Sequence, residues 1–172
     1  MRGLRPIAEI QYLDYLMFAL QTLSDDLATV SYRSVGKQLA PLIVRTRGHR
    51  LEGMWHAGSP MGMILNSLKG MLVLTPRNMV QAAGMYNTLL ACSDPALIIE
   101  PLNAYRLKEK EPINIGEFNV PLGHVEYISK GKDITVVSYG STLKLVEKAT
   151  VDLLKHDIEL ELIDLQTLIP ID

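Results

Sequence analysis

One cysteine, Cys92, is all that 172 residues contain. Neither an intrachain disulfide nor a cysteine-built zinc cluster is available, and a reducing, intracellular setting is expected. An excess of one charge is also lacking. Seventeen Lys plus Arg stand against 19 Asp plus Glu, a formal −2, which gives no long-range field for phosphate backbones or anionic membranes and argues against nucleic acid or a membrane as partner. No apolar run approaches the roughly 20 residues that cross a bilayer. The start Met1-Arg2-Gly3-Leu4-Arg5-Pro6 has no apolar stretch behind its charges such as a signal peptide carries. Chemical motifs are equally scarce: Gly-x-x-x-x-Gly-Lys-Ser/Thr, Gly-x-Gly-x-x-Gly and Gly-x-Ser-x-Gly do not occur. His49, His124 and His156 are too scattered in sequence to suggest a metal cluster.

What is present is a core-forming composition, 48% hydrophobic, in a length of one to one and a half domains at roughly 100 to 200 residues each. Residues 6–12 are short, apolar-rich and bounded by Gly3 and Pro6, which predicts a strand. From Leu13 the period changes. Leu13, Leu16, Met17, Leu20, Leu23 and Leu27 recur at helical steps, with Asp14, Gln21, Asp25 and Asp26 largely between them, as in an amphipathic helix. After a polar break at 31–37 a second strand is predicted at 41–45, then a long glycine-containing loop to Ser59. A short helix at 61–68, a strand at 71–74, a helix at 79–91 capped by Asn78 and a strand at 95–99 follow. This βα alternation predicts an α/β unit with a parallel sheet covered on both faces.

Residues 102–123 lose periodicity and gather Pro112, Gly116, Pro121 and Gly123, which marks a linker between units at 1–101 and 124–172. The second unit is expected to hold a strand at 134–139, a Gly140-Ser141 turn, a helix at 143–154 and a strand from 158 to 165. So small a sheet rarely stands alone, so the unit reads as the beginning of a domain in a truncated polypeptide.

His56, beside Trp55 in the loop after the second strand, lies where open α/β sheets bind ligands, and histidine is a residue type suited to proton transfer. Gln11 at a strand's carboxyl end has similar standing, and Tyr15 suits either a site or a wall of the core. Met54, Met61, Met63 and Met71 read as packing residues and the charges at 108–111 as a solvated loop.

Several segments in order carry a resemblance. Gly3-Leu4-Arg5-Pro6 precedes Glu9-Ile10-Gln11-Tyr12-Leu13-Asp14-Tyr15, and Tyr32-Arg33-Ser34 precedes Pro41-Leu42-Ile43-Val44-Arg45-Thr46. Trp55-His56 with Ser59-Pro60, Asp94-Pro95, Ile99-Glu100-Pro101, Tyr105-Arg106, Val120-Pro121-Leu122-Gly123 and Ile163-Asp164-Leu165-Gln166-Thr167-Leu168-Ile169-Pro170 complete the series. The chain resembles, over essentially its whole length, the β subunit, or β half of a fused chain, of the thiamine-diphosphate-dependent 2-oxo acid dehydrogenases of branched-chain or pyruvate type.

The resemblance implies a transketolase-like fold: a pyrimidine-binding domain at 1–101 lacking its N-terminal part, the linker, and the start of the C-terminal domain at 124–172. It implies oxidative decarboxylation of a 2-oxo acid, branched-chain favoured, with acyl transfer to lipoyl, in the bacterial cytoplasm or the mitochondrial matrix. Gln11 and Tyr15 would line the aminopyrimidine pocket, and His56 would face the substrate. The family's activating glutamate falls before Met1, and the motif that holds magnesium and the diphosphate belongs to the α half. The α subunit, a second β chain and a lipoyl acyltransferase core are therefore the implied partners. A potassium site, mainly of carbonyl oxygens, would match Leu42, Leu89, Cys92 and Asp94, with Cys92 in place of an aspartate and Asp94 of an asparagine. Gln81 likewise stands where the family has an aspartate, and the loop after His56 lacks its polar Ser-Gln. Two other readings remain: a noncatalytic interaction chain keeping the fold, favoured by the altered loop, and a flavodoxin-like nucleotide-binding domain, disfavoured by the missing phosphate loop.

Overall fold

The computed structural model describes residues 3–50 and 53–172. In chain order its strands are β1 (Ile7–Tyr12), β2 (Ile43–Gly48), β3 (Leu72–Leu74), β4 (Ala96–Pro101), β5 (Glu126–Ser129), β6 (Ile134–Ser138), β7 (Leu160–Asp164) and β8 (Thr167–Ile169). The helices are α1 (Leu16–Gln21), α2 (Val30–Arg33), α3 (Met61–Ser67), α4 (Met79–Ala91) and α5 (Thr142–Leu154).

Two sheets form. The first has the order β1-β2-β4-β3-β8, with β1, β2, β4 and β3 mutually parallel, as the βα alternation predicts. Alternate residues of its strands feed two cores. Val44, Val73, Leu97 and Ile99 pack with Leu13, Leu16 and Leu23 on one face, while Ile43, Leu74 and Ile98 meet Met85 and Leu89 of α4 on the other. All six residues of β4 are buried, so this strand is the centre of the layer. The second sheet, β5-β7-β6, is covered by Leu143 of α5 against Leu160 and Leu162.

Three features depart from the sequence expectation. The helix expected from Leu13 is a 3-10 turn at Leu13–Tyr15, then α1, then a π-helical stretch at Thr22–Leu27. The widened turn, with Ala28 N–H donating to Leu23 O at 2.9 Å, carries Leu23 and Ala28 into the same core. Strand β2 starts later than Pro41 and runs on to Gly48, because Arg47 and Gly48 keep their register with Glu100 and Pro101. Most consequentially, the sheets are mixed. β5 runs antiparallel to β7, and β8 leaves the second unit to pair antiparallel with β3 of the first sheet. Neither strand has an apolar run long enough to announce itself in sequence.

The segment between the sheets is fastened to α4. Thr88 Oγ1 donates to Val120 O at 2.7 Å, and Asn87 Nδ2 donates to Phe118 O at 2.8 Å and Ile115 O at 2.9 Å. Gly84 admits this strap, since a Cβ there would stand 2.4 Å from the Phe118 ring. Asn78 caps α4 by accepting from Gln81 N–H at 2.8 Å, and Glu109 accepts from the Met79 and Val80 N–H groups. The charges at 108–111 are therefore exposed, but one of them closes a helix end.

A buried polar joint unites the two units. The Arg77 guanidinium donates to Glu126 at 2.6 and 2.9 Å and to Asp164 at 2.9 Å. Gln81 Nε2 donates to Asp164 at 3.0 Å and Gln166 at 2.8 Å, and its Oε1 accepts from Arg77 N–H at 2.7 Å. Gln81 supplies a donor that an aspartate could not, facing two carboxylates.

Gly48 closes β2 against Leu13, whose side chain is fully buried. A Cβ at 48 would lie 2.4 Å from Leu13 Cβ, an atom fixed to its own backbone. Gly48→Ala is therefore expected to destabilise the fold by about 1–3 kcal/mol, read as a lowered urea midpoint at unchanged m-value.

Candidate functional site

The site begins with a one-residue irregularity. Ile10 pairs with Thr46 and Tyr12 with Arg47, so Gln11 is the extra residue of a bulge in β1. Such bulges re-aim the side chains that follow. The 3-10 turn at Leu13–Tyr15 then buries Leu13 and leaves Asp14 and Tyr15 at the carboxyl edge of the sheet. The loop after β2 returns to the same edge with His56 in the left-handed region, φ 54°. That conformation costs a non-glycine residue roughly 1–2 kcal/mol and persists where surrounding contacts over-determine it.

Those contacts are specific. His56 Nδ1 lies 3.0 Å from Asp14 Oδ2, and the imidazole stacks on Tyr12 with centroids 3.8 Å apart and planes 3° from parallel. Tyr15 meets the imidazole edge-on at 5.4 Å, and Trp55 approaches it at 5.5 Å. The Arg47 guanidinium sits 4.5 Å from the Tyr12 centroid, and Arg47 Nε donates to Gln11 O at 3.0 Å. The imidazole is only 15% exposed, while Tyr15 is 41% exposed. This is a half-open aromatic wall with one imidazole edge presented. Asp14 Oδ1 is buried without a hydrogen-bond partner among the described residues.

Of the residues singled out in sequence, Tyr15 and His56 are thus brought together. Gln11 is exposed on the bulge beside them, and among the described residues its side-chain amide makes no hydrogen bond. Tyr12, Asp14 and Arg47 were not singled out. Asp14 reads in sequence as a polar residue between helical leucines, and only the 3-10 turn gives it to the site. The wall fits one side of a planar heteroaromatic ring: Tyr15 offers an exposed aromatic surface and Gln11 an uncommitted amide.

The potassium candidates fare differently. Leu42 O accepts from Ala96 N–H at 2.9 Å, Leu89 O from Cys92 N–H at 3.1 Å, and Cys92 O from the Arg5 guanidinium. The Arg5 guanidinium opposes a further cation at Cys92 O, while the Leu42 and Leu89 carbonyls each keep a second lone pair. Among the described residues no group of three or more His, Cys, Asp or Glu could hold a metal ion.

Glu9 and Glu100, the carboxylates nearest this edge on β1 and β4, are both engaged by Arg45. Arg45 Nη1 donates to Glu9 at 2.6 Å, and its Nη2 and Nε donate to Glu100 at 2.6 and 3.2 Å. Tyr86 and Tyr105 also donate to Glu100. Burial alone would raise the Glu100 carboxyl, but the hydrogen bonds from Arg45, Tyr105 and Tyr86 together hold it below the ordinary glutamate value. Burial pushes His49 the other way, lowering its imidazole. His49 Nδ1 lies 3.1 Å from Ser59 Oγ, on the His56 loop, and its Nε2 3.3 Å from Tyr139 O.

Comparison with known proteins gives a consistent picture. The family model "Transketolase, C-terminal domain" matches residues 123–172. The chain is 31% identical to the pyruvate dehydrogenase E1 component subunit beta of Acholeplasma laidlawii, over 99% of this chain and 52% of that one. It is 34% identical to the mitochondrial 2-oxoisovalerate dehydrogenase subunit beta of Chaetomium thermophilum, over 99% and 37%. With the Bacillus subtilis 2-oxoisovalerate dehydrogenase subunit beta it shares 30%, over 100% and 53%. The chain thus spans about half the length of two of these relatives and less of the third. A split-gene transketolase solved as an inactive β4 tetramer superposes with a TM-score of 0.76 at 17% identity, over 99% of this chain and 52% of that one, and so shares the fold.

Because Glu100 is depressed in the native state, its contribution is fully present above the unfolded value of about 4.3 and is lost as pH falls through the lower native value. Arg45→Met should cost about 1–3 kcal/mol at pH 7, below the roughly 3–5 of a fully buried pair because Arg45 is 30% exposed. The gap between variant and parent should narrow on acidification below about pH 4, as followed by urea unfolding across pH.

Proposed function

We propose that this chain, homologous over its whole length to the β subunits of pyruvate and 2-oxoisovalerate dehydrogenases, supplies the pyrimidine-side wall of a thiamine-diphosphate site in a 2-oxo acid dehydrogenase. The carrying observation is the convergence of Tyr15, His56, Tyr12 and Asp14 at the carboxyl edge of parallel strands, beside the exposed amide of Gln11. That edge is where open α/β sheets bind ligands.

In this function residues 1–101 belong to the pyrimidine-binding domain and residues 124–172 begin the C-terminal domain, with 102–123 between them. Gln11 and Tyr15 hold the aminopyrimidine ring, the amide by hydrogen bonding and the phenol by its ring face. When bound, thiamine diphosphate supplies the electron sink for loss of carbon dioxide from a 2-oxo acid. His56 orients the substrate's carboxyl or carbonyl group and moves a proton at its ring nitrogen. Tyr12 fixes the imidazole plane, and Trp55 excludes water from one edge.

Glu9 and Glu100 are committed to Arg45, so the carboxylate that activates the cofactor comes from another segment. The same holds for magnesium and the diphosphate grip, which an α subunit or fused α half provides. A second β chain completes the assembly, and a lipoyl acyltransferase takes the acyl group. Branched-chain 2-oxo acids are the favoured substrates and pyruvate the competitor.

The test is co-expression with the complementary α half and the remaining β segment, followed by assay of thiamine-diphosphate-dependent decarboxylation of 3-methyl-2-oxobutanoate and pyruvate. Turnover of at least one acid is expected, and turnover of neither favours a noncatalytic chain that keeps the fold. His56→Asn is the informative variant, because asparagine tolerates the left-handed backbone that alanine resists. It should lower kcat by about 100-fold or more while shifting Tm by less than about 2 °C.

A further inference from the structure

We propose that Asp14 is a positioning residue that keeps a proton on His56 Nδ1 and thereby presents Nε2 as the unprotonated, reactive nitrogen. The proposal rests on the reading of His56 given above and assigns the atom through which it acts.

Four observations converge on it. First, Asp14 Oδ2 lies 3.0 Å from Nδ1, and Nε2 has no hydrogen bond among the described residues. A carboxylate only accepts, so the imidazole must donate at Nδ1, and the neutral ring then has its lone pair at Nε2. Second, the contact is sheltered: the imidazole is 15% and the carboxylate 33% exposed. Asp14 Oδ1 is buried with no donor of its own, so the interaction with His56 is the one hydrogen bond this carboxylate makes among the described residues.

Third, the ring cannot turn away. It is stacked 3.8 Å from Tyr12 at 3°, and the Arg47 guanidinium sits 4.5 Å from the same Tyr12 centroid. A parallel imidazole at that spacing already covers one face of Tyr12, which leaves Arg47 the other. Guanidinium, phenol and imidazole therefore form a three-layer column that fixes the plane in which Nδ1 meets Asp14. Fourth, the loop is shaped for the approach. His56 adopts φ 54°, and Gly58 leaves the Asp14 carboxylate its space, since a Cβ at 58 would stand 3.1 Å from Oδ1.

The chemical consequence is definite. When Nε2 takes a proton from a bound acidic group, the N–H bond forms there as that group's bond to hydrogen breaks, and the donor keeps the electron pair. The positive charge that results spreads over the ring, beside a carboxylate that already accepts from the opposite nitrogen. Asp14 itself takes up no proton. The opposite tautomer would set two lone pairs against each other at 3.0 Å.

Long-range proton–nitrogen NMR of the nitrogen-15-labelled 172-residue chain reads the tautomer without any substrate. The native chain should show neutral His56 protonated at Nδ1 and bare at Nε2. Asp14→Asn, whose amide can donate to Nδ1, should shift the tautomer ratio at least about tenfold toward Nε2–H. In the assembled enzyme the same variant should lower kcat about tenfold or more while KM for the 2-oxo acid changes less than about threefold. A native ring protonated at Nε2, or a ratio unmoved in Asp14→Asn, overturns the proposal even if the enzyme is active. If no assembly decarboxylates a 2-oxo acid, the functional reading falls, and the tautomer ratio still decides the role of Asp14.

Discussion

The register of β2 between its two parallel neighbours is the constraint on which the rest depends. Ladder hydrogen bonds on both sides place Arg45 beside Glu9 of β1 and Arg47 beside Glu100 of β4. A one-residue slip would turn Val44 and Thr46 out of the core and drive Arg45 and Arg47 into it, so hydrophobic patterning and charge pairing enforce the same alignment. Arg45 can then bridge Glu9 and Glu100 from one position. Against this fixed rail the bulge at Gln11 is a controlled error. It leaves one residue of β1 unpaired and brings Tyr12 level with Arg47, so that the guanidinium lies on the phenol ring.

The second unit bears on the site through backbone as much as through side chains. Ser141 Oγ donates to His49 O at 2.8 Å, while the His49 ring stacks on Tyr139 and reaches Ser59 in the loop of His56. Gly140, at φ 57°, lies so close that a Cβ would meet Thr75 at 2.6 Å and His49 at 2.7 Å. The turn between β6 and α5 thus backs the far end of the His56 loop. Together with β8, which pairs with β3, and the Arg77–Asp164 joint, it makes the two units one framework. A loop held at Ser59 from one side and at His56 from the other can sustain a left-handed histidine.

Much of this was legible in the amino-acid order. Apolar runs separated by helical periods announced the parallel strands β1 to β4, and Asn78 announced the start of α4. His56 stood out by residue type and by its loop after the second strand, Gln11 by its place at a strand's carboxyl end, and Tyr15 suited either a site or a wall of the core. What escaped was whatever depends on long-range pairing. β8 is three residues in a run that continues from β7, and nothing local shows that it crosses to another sheet. Asp14 was concealed by a helical pattern that in fact starts at Leu16, because a 3-10 turn and an α-helix share their first apolar spacing. Arg47 falls in what reads as the loop after the second strand, until β2 runs on to Gly48 and the bulge puts a phenol beneath it. These are tertiary facts, set by which strand lies next to which.

Electrostatic commitments then decide which groups remain available for chemistry. Glu100 accepts from an arginine and two tyrosines, and freeing it to protonate a ligand would strand three donors in a buried strand end. Asp164 is likewise bound by Arg77 and Gln81. Among the described residues, Asp14 hydrogen-bonds to an imidazole alone, Tyr15 meets aromatic edges and solvent, and the Gln11 amide makes no hydrogen bond. The proposed division of labour follows from that contrast. Glu9, Glu100, Glu126 and Asp164 are spent on joining strands and units, while the site keeps the Gln11 amide, the Tyr15 ring and the Asp14–His56 pair. Among the described residues, no carboxylate of this chain is both uncommitted and placed on the open side of the wall, so in the proposed function the group that alters that ring's protonation approaches from there.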